Sequence, residues 1–436
     1  MSLRERLIQY SQHQKMIRVG LIGAGQMGIG FISQTERMEG LRVVAVADII
    51  PGQAERGYLE SGVLQEMIIH LDENPEKAAE LIDSGHRIAT VDAAFLVQIA
   101  NLDVILECTG IPEVGARVCY AAIQHSKHVV NMNVETDATI GYRLATLAAE
   151  RGVIYTLAAG DEPGAIKELF DFADALGFEV AYIGKGKNNP LDRTATPDRL
   201  RLQAQKQGMN PKMLTSFVDG TKTMVEMTAI GNALGYAPEV TGGYGPSCTV
   251  ADLPKVFLPK ALGGIFNNTK VVDFAVGDVA PGVFVVITTN QPKIIRDLRY
   301  LRLLGHADHN YWILYRPYHL ANLEAPITVA RVVLEQEGLL ATSRPPVAET
   351  VAYAKRDLYP GEVIDSLGGF TAYGMIERFE KAHREGEVSL GLIVGATVIR
   401  PIKANCPIHY DEVELNKSQV IFQLRQEQDQ LLRYWL

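Results

Sequence analysis

The run MIRVGLIGAGQMGIGF at residues 16–31 passes from an apolar strand through a glycine-rich turn into a helix. Met16 to Ile22 reads as a buried strand. Gly23 then permits a tight turn. Gly25 lets backbone N–H groups approach a pyrophosphate, and Gly28 lets the helix pack closely on the strand. Gln26 and Met27 lie between these glycines at the helix start, where the helix dipole favours an anion. The helical pattern runs to about Met38, with Met27, Phe31 and Ile32 as packing residues. The next strand, Leu41 to Ala47, ends on Asp48, 25 residues after Gly23. A carboxylate there accepts hydrogen bonds from a ribose diol. Gly23, Gly25, Gln26, Met27, Gly28 and Asp48 are therefore expected to hold a dinucleotide in a Rossmann domain.

The same alternation continues downstream. Leu102 to Cys108 is a strand, followed by Thr109-Gly110-Ile111-Pro112, a helix over 113–125 and a strand from His128 to Met132. A helix over 140–151 and a strand over 153–157 complete a doubly wound parallel sheet. Strand ends in such a sheet converge on the cofactor crevice. Thr109, Gly110 and Asn133 are thus expected beside the nicotinamide. The long insertion over 53–93 reads as largely helical and polar, a lid or an edge of the site. Asp48 repels a 2′-phosphate, which favours NAD over NADP. Arg56 is the nearby base that would have to swing in for NADP.

The chain has 436 residues, enough for two to four domains at roughly 100 to 200 residues each. The formal charge is 42 − 51 = −9, which argues against sequence-independent nucleic-acid binding. None of the four cysteines, Cys108, Cys119, Cys248 and Cys406, forms a C-x-x-C pair. Neither a zinc site nor a redox dithiol is expected, and lone buried thiols are. No apolar run approaches the ~20 residues that span a bilayer. The polar start MSLRERLIQYSQHQK lacks the apolar core of a signal peptide, so the cytoplasm is the expected compartment. A homo-oligomer, dimer or tetramer, is the prior for such enzymes.

Three domains are expected: a Rossmann domain over 1–160, an α+β substrate and dimerisation domain over 161–343, and a β-rich module over 344–436. In the middle, Gly160-Asp161-Glu162-Pro163-Gly164 reads as a turn into a helix over 165–176, followed by a strand over 178–184. Lys185-Gly186-Lys187-Asn188-Asn189 then reads as a loop suited to an anionic or polyhydroxylated substrate. Hydride transfer to a carbonyl needs a proton donor at the oxygen. Lys222 and Lys187 are candidates, since burial and neighbouring cations lower a lysine pKa. Lys222 and Glu226 are spaced either as an exposed helix pair or as site residues. His319, in YWILYRPYHLANLE at 311–324, is either a general acid–base or a structural histidine. Past Arg344-Pro345-Pro346 the chain reads as short β runs and a final helix over 418–434.

These C-terminal runs resemble an SAF domain, a small β-clip module. The first strands and GAGQMG resemble the cofactor domain of homoserine dehydrogenases. The full arrangement is similar to the deoxyxylulose-5-phosphate reductoisomerase-like proteins. The segments that carry the likeness are Asn133 to Asp137, Gly160 to Pro163, Asp219-Gly220-Thr221-Lys222, Arg316 to Leu320 and Ala354 to Leu358. One departure is that Asn131-Met132-Asn133 stands where homoserine dehydrogenases usually carry an Asn-Lys pair, so homoserine oxidation by the usual machinery is not expected. The resemblance implies an NAD(P)H-linked reaction on a small sugar-like, phosphorylated substrate such as 1-deoxy-D-xylulose 5-phosphate. It places Asp219 and His319 with the two lysines as candidate catalytic residues. It also implies a hard divalent cation, Mg²⁺ or Mn²⁺, with Glu135, Asp137, Asp161 and Glu162 as candidate ligands. Two alternatives stay open: a plain dehydrogenase of a sugar acid or amino-acid-like alcohol, and a non-catalytic NAD(H)-binding sensor or assembly protein.

Overall fold

Short, continuously apolar strands that bury both faces build a parallel sheet, and the first half of the chain supplies seven. They are β1 (Ile17–Ile22), β2 (Leu41–Ala47), β3 (Ile68–His70), β4 (Arg87–Thr90), β5 (Val104–Glu107), β6 (His128–Asn131) and β7 (Tyr155–Leu157). Their order is β3-β4-β2-β1-β5-β6-β7, and every pairing is parallel. Strand order reverses between β1 and β5, where doubly wound sheets open their ligand crevice. The computed structural model describes residues 1–13 and 15–433. It divides into two compact units, Met1–Gly164 with Leu320–Ser343, and Ala165–His319 with the chain from Arg344 onward.

In the first unit, the insertion expected to be largely helical contributes β3 and β4 to the sheet edge, besides the helices Gln53–Glu60 and Pro75–Asp83. Their apolar runs are too short to show a strand period. The segment 320–343, expected in the middle domain, also lies here. Ala325, Val329, Ala330 and Val332 on helix Ala321–Glu335 join Phe31 and Ile32 in one core. The Thr156 hydroxyl oxygen accepts the N–H groups of Leu339 and Leu340, each at 2.9 Å.

The second unit holds a mixed sheet, β8 (Glu179–Lys187), β9 (Val271–Val276), β10 (Val283–Thr288) and β11 (Tyr311–Arg316). The order is β11-β10-β8-β9, with only β8 and β9 parallel. Tyr182 stacks on Phe266 at 4.5 Å and Phe257 packs edge-on against Phe284 at 4.7 Å, an aromatic core under this sheet. Lys185-Gly186-Lys187, expected as a loop, instead extends β8. Gly186 fits because a Cβ there would lie 2.1 Å from the Ala280 nitrogen.

Beyond Arg344 come β12 (Ala348–Ala354) paired antiparallel with β13 (Ala372–Arg378), and β14 (Thr397–Val398) with β15 (Val413–Glu414). Helix Thr221–Leu234 packs against β12 and β13. The Asn232 side chain caps β12: its Oδ1 accepts from the Val347 and Ala348 N–H groups at 2.8 Å, and its Nδ2 donates to the Ala348 carbonyl at 3.0 Å. The last described helix is Val420–Leu432, and Tyr434 of the expected helix lies outside the described residues. Cys119 is buried, Cys108 and Cys248 are half-buried, and Cys406 is exposed, so the thiols are unpaired but not all buried. Among the described residues no helix is long and apolar enough to cross a membrane.

Candidate functional site

In the first unit β1 runs into Gly23, whose φ of 98° only glycine adopts readily. Helix Gln26–Thr35 follows, with Gly25 as its N-cap. A Cβ on Gly28 would lie 2.1 Å from the Gly23 carbonyl oxygen, so the helix can approach the turn only with glycine there. Gly25 is different. Its φ of −78° suits any residue, and a Cβ would meet nothing within 4 Å. The protein itself gives no reason for glycine at this position, whereas a pyrophosphate lying against the helix N-terminus does. Gln26 is exposed and Met27 half-buried beside it.

Asp48 closes this loop. Its Oδ2 accepts the Ala24 N–H at 2.8 Å and its Oδ1 the Ile50 N–H at 2.9 Å. Each oxygen keeps a second acceptor direction, and Gln53 ties down the Ala24 carbonyl at 2.6 Å. Across the switch point, Glu107 ends β5 fully buried. Its Oε1 accepts the Thr109 N–H at 2.9 Å and the Thr109 hydroxyl. Asn133 caps helix Val134–Arg151 through the Thr136 N–H and donates to the Ile111 carbonyl at 3.0 Å. Thr109, Gly110 and Asn133 thus form two loops stitched together at the strand ends.

The four candidate metal ligands do not share one environment. Asp137 is buried, accepts the Tyr155 hydroxyl at 3.0 Å and has its carboxyl pushed up to about 7 by burial. Tyr155 in turn accepts from Asn131 at 3.0 Å. Asp137 therefore faces the interior as a partner of Tyr155. Its face is set by a helical segment that starts at Val134 and kinks at Ile140, the expected helix start. Glu135 is half-buried in that helix's first turn. Asp161 and Glu162 are adjacent and half-buried, with Glu162 opening helix Glu162–Ala175.

The second unit gathers the other candidates. Lys185 and Lys187 sit two apart on β8 and so on one face. Lys185 pairs with Glu226 of helix Thr221–Leu234, and Lys222 of the same helix approaches the other Glu226 oxygen at 3.9 Å. The Glu226 side chain is only 3% exposed, so this is a buried cluster and not an exposed helix pair. Lys187 donates to Asn189 Oδ1 at 2.6 Å and to the Phe217 carbonyl at 2.8 Å. Burial and then the charge of Lys185 lower its ammonium to about 8. Asp219 precedes the helix, accepts the Thr221 N–H at 2.8 Å and pairs with Lys355 at 2.8 Å. Burial raises the Asp219 carboxyl above its usual range. Lys355, at the end of β12, also donates to the Ala195 and Gly369 carbonyls at 2.8 Å.

Residues 160–325 match the family model for the catalytic domain of the oxidoreductase DRL, and residues 349–414 match the SAF domain model. The chain carries an oxidoreductase catalytic domain. No curated protein sequence matches it. Among solved structures, a probable dehydrogenase from Thermotoga maritima is 13% identical, with 74% of this chain and 90% of that one covered at a TM-score of 0.42. A scyllo-inositol dehydrogenase from Lactobacillus casei, solved with NAD(H) and scyllo-inositol, is 12% identical, with 74% and 91% covered at 0.38.

The matched catalytic domain contains Lys185, Lys187, Asp219, Lys222 and Glu226, while Lys355 lies among the SAF-matched residues. Lys187, Lys222 and Asp219 come together there. His319 stands on a separate segment after β11, its Nδ1 2.8 Å from the Pro281 carbonyl, which fixes the proton on Nδ1. Sequence reasoning did not select Lys355 or Glu107. Each is a charged residue closing an apolar strand, and that position was the available signal.

Proposed function

We propose that this chain is an NAD(P)-dependent oxidoreductase of a small polyhydroxylated carbonyl compound, with NAD the preferred cofactor. The observation that carries the reading is Gly25: open space, an unstrained φ and a helix N-terminus, arranged for a ligand's phosphates. The bound cofactor supplies hydride chemistry at its nicotinamide. This chain's residues do the rest. The amides after Gly23 take the pyrophosphate. Asp48, already fixed by two backbone N–H groups, accepts from a ribose diol and opposes a 2′-phosphate. Thr109, Gly110 and Asn133 line the nicotinamide half of the crevice.

Lys187 is the proton donor best suited to a substrate oxygen, because its ammonium is lowered to about 8, close to working pH. Lys222 and Lys185 are the cations offered to an anionic substrate group such as a phosphate. Asp161 and Glu162 are adjacent oxygen donors that suit a hard cation, which would polarise a hydroxy-ketone. With that cation, skeletal rearrangement before reduction is the finer form of the proposal.

The test is an absorbance assay of NADH and NADPH oxidation with and without Mn²⁺, against 1-deoxy-D-xylulose 5-phosphate and a panel of sugar acids and polyols. Metal-dependent NADH oxidation with the deoxyxylulose phosphate, confirmed by product analysis, supports the finer form. Metal-independent turnover of another polyol leaves a plain dehydrogenase. No turnover with any carbonyl or alcohol contradicts the catalytic reading.

A further inference from the structure

Glu107 is a buried acid that the proposed chemistry leaves unused. It ends β5 opposite Ile22 of β1 and Asn131 of β6, at the strand-order reversal. Its side chain folds back over its own strand end. There Oε1 accepts both the N–H and the hydroxyl of Thr109, which shapes the Thr109-Gly110 turn. The titratable groups facing it are Glu135 on helix Val134–Arg151, Cys108 beside it and Cys119 on helix Pro112–Gln124. None is a cation. Burial pushes the carboxyl up to about 7, against hydrogen bonds from Thr109 and Asn133 that pull it down.

A neutral side chain would hold the Thr109 turn as well, and would avoid burying a charge without a counter-ion. An ionisable group at this place is therefore informative. The oxidised nicotinamide ring carries a positive charge and the reduced ring none, and charge near a cofactor's ring tunes its electronics.

Resting on the dinucleotide reading above, we infer that Glu107 is a positioning residue whose charge sets the balance between oxidised and reduced cofactor: ionised, it favours NAD⁺, and protonated, it favours NADH.

The sign follows from linkage. A cation bound near Glu107 favours its ionised form, so NAD⁺ binding releases a proton, and NAD⁺ must bind more tightly as pH rises through about 7. Neutral nicotinamide lacks that coupling. One pKa unit of coupling corresponds to about a tenfold change in relative affinity.

Dissociation constants for NAD⁺ and NADH, measured calorimetrically on the full chain at pH 6 and pH 8, test the inference. For the wild type, with one pKa unit of coupling about a carboxyl titrating near 7, the ratio of the NAD⁺ constant to the NADH constant should fall about fivefold between the two pH values. Glu107→Gln keeps the acceptor for Thr109 and should flatten that ratio. Thr109→Val keeps the charge while loosening the turn. It should weaken both cofactors alike and retain the pH dependence. A wild-type ratio that stays flat while both cofactors bind overturns the inference alone, as does a Glu107→Gln ratio that still tracks pH. Should Glu107→Gln not fold, the wild-type and Thr109→Val ratios decide. Failure of the wild type to bind either cofactor overturns the dinucleotide reading, and this inference with it.

Discussion

Lys187 and Lys355 are both nearly fully buried lysines of the second unit, yet their neighbours give them different physics. Lys187 bonds neutral oxygens and sits beside another cation, so its ammonium is held near 8. As the proton donor it must be protonated, so turnover is expected to fall as pH rises through about 8. Lys187→Met should remove that limb of the pH–rate profile and lower kcat by roughly 10² or more, while leaving NADH affinity intact. An unchanged profile would reassign the donor. Lys355 instead meets Asp219 and two carbonyls. Removing one member of a buried pair strands the other, so Lys355→Met should destabilise the second unit by about 3–5 kcal/mol. Lys355→Met combined with Asp219→Leu should recover much of that loss in denaturant titrations. If the double variant is no better than the single, the pair is not what holds this corner.

Helix Val134–Arg151 is tied to β6 and β7 by the buried chain Asp137, Tyr155 and Asn131. Asp137 titrates at about 7 in the folded protein, above its ordinary value. A carboxyl raised in this way is neutral and well accommodated at low pH. Its charge costs stability progressively as pH rises from about 4 to about 7. Asp137→Asn should therefore gain stability relative to wild type at pH 8 compared with pH 5, read from melting temperatures at both. A gap that does not widen with pH would mean Asp137 is ionised in the fold. In β8, Gly186→Ala would drive a Cβ into backbone at 2.1 Å and should cost about 1–3 kcal/mol. These elements also show what the sequence makes legible. Strand, turn and helix from Ile17 to Thr35 are local and apolar-patterned, so they read directly. Strands of three and four residues, Ile68–His70 and Arg87–Thr90, carry too little period to be read inside a polar insertion. One glycine and four polar residues made Lys185 to Asn189 look like a loop, because the close approach of Ala280 that demands Gly186 is long-range.

At the scale of the whole chain, the least legible features are those set by distant partners. The return of helix Ala321–Glu335 to the first unit depends on a core shared with Phe31, and nothing near residue 321 announces it. Likewise Lys222, Lys187 and Asp219 were readable as candidates, but the ion pairs from Lys185 and Lys355 appear only once β8 and β12 meet helix Thr221–Leu234. The SAF-matched residues pack on helix Thr221–Leu234. Thr228 bonds Thr350 at 2.8 Å, and Asn232 caps β12. A chain truncated before Arg344 is thus expected to lose the fold of residues 165–319, seen as rapid limited proteolysis there. Protection of that segment in the truncated chain would show that it folds alone. The dinucleotide cradle gives the most direct test of the account, because Gly25 can be altered without a structural clash. The measurement is a fluorescence titration of NADH and NADPH into the wild type and into Gly25→Val. The account predicts that wild type binds NADH more tightly than NADPH, and that Gly25→Val melts like wild type and binds neither. A Gly25→Val protein that binds NADH as wild type does, or a wild type that binds no dinucleotide, would contradict it.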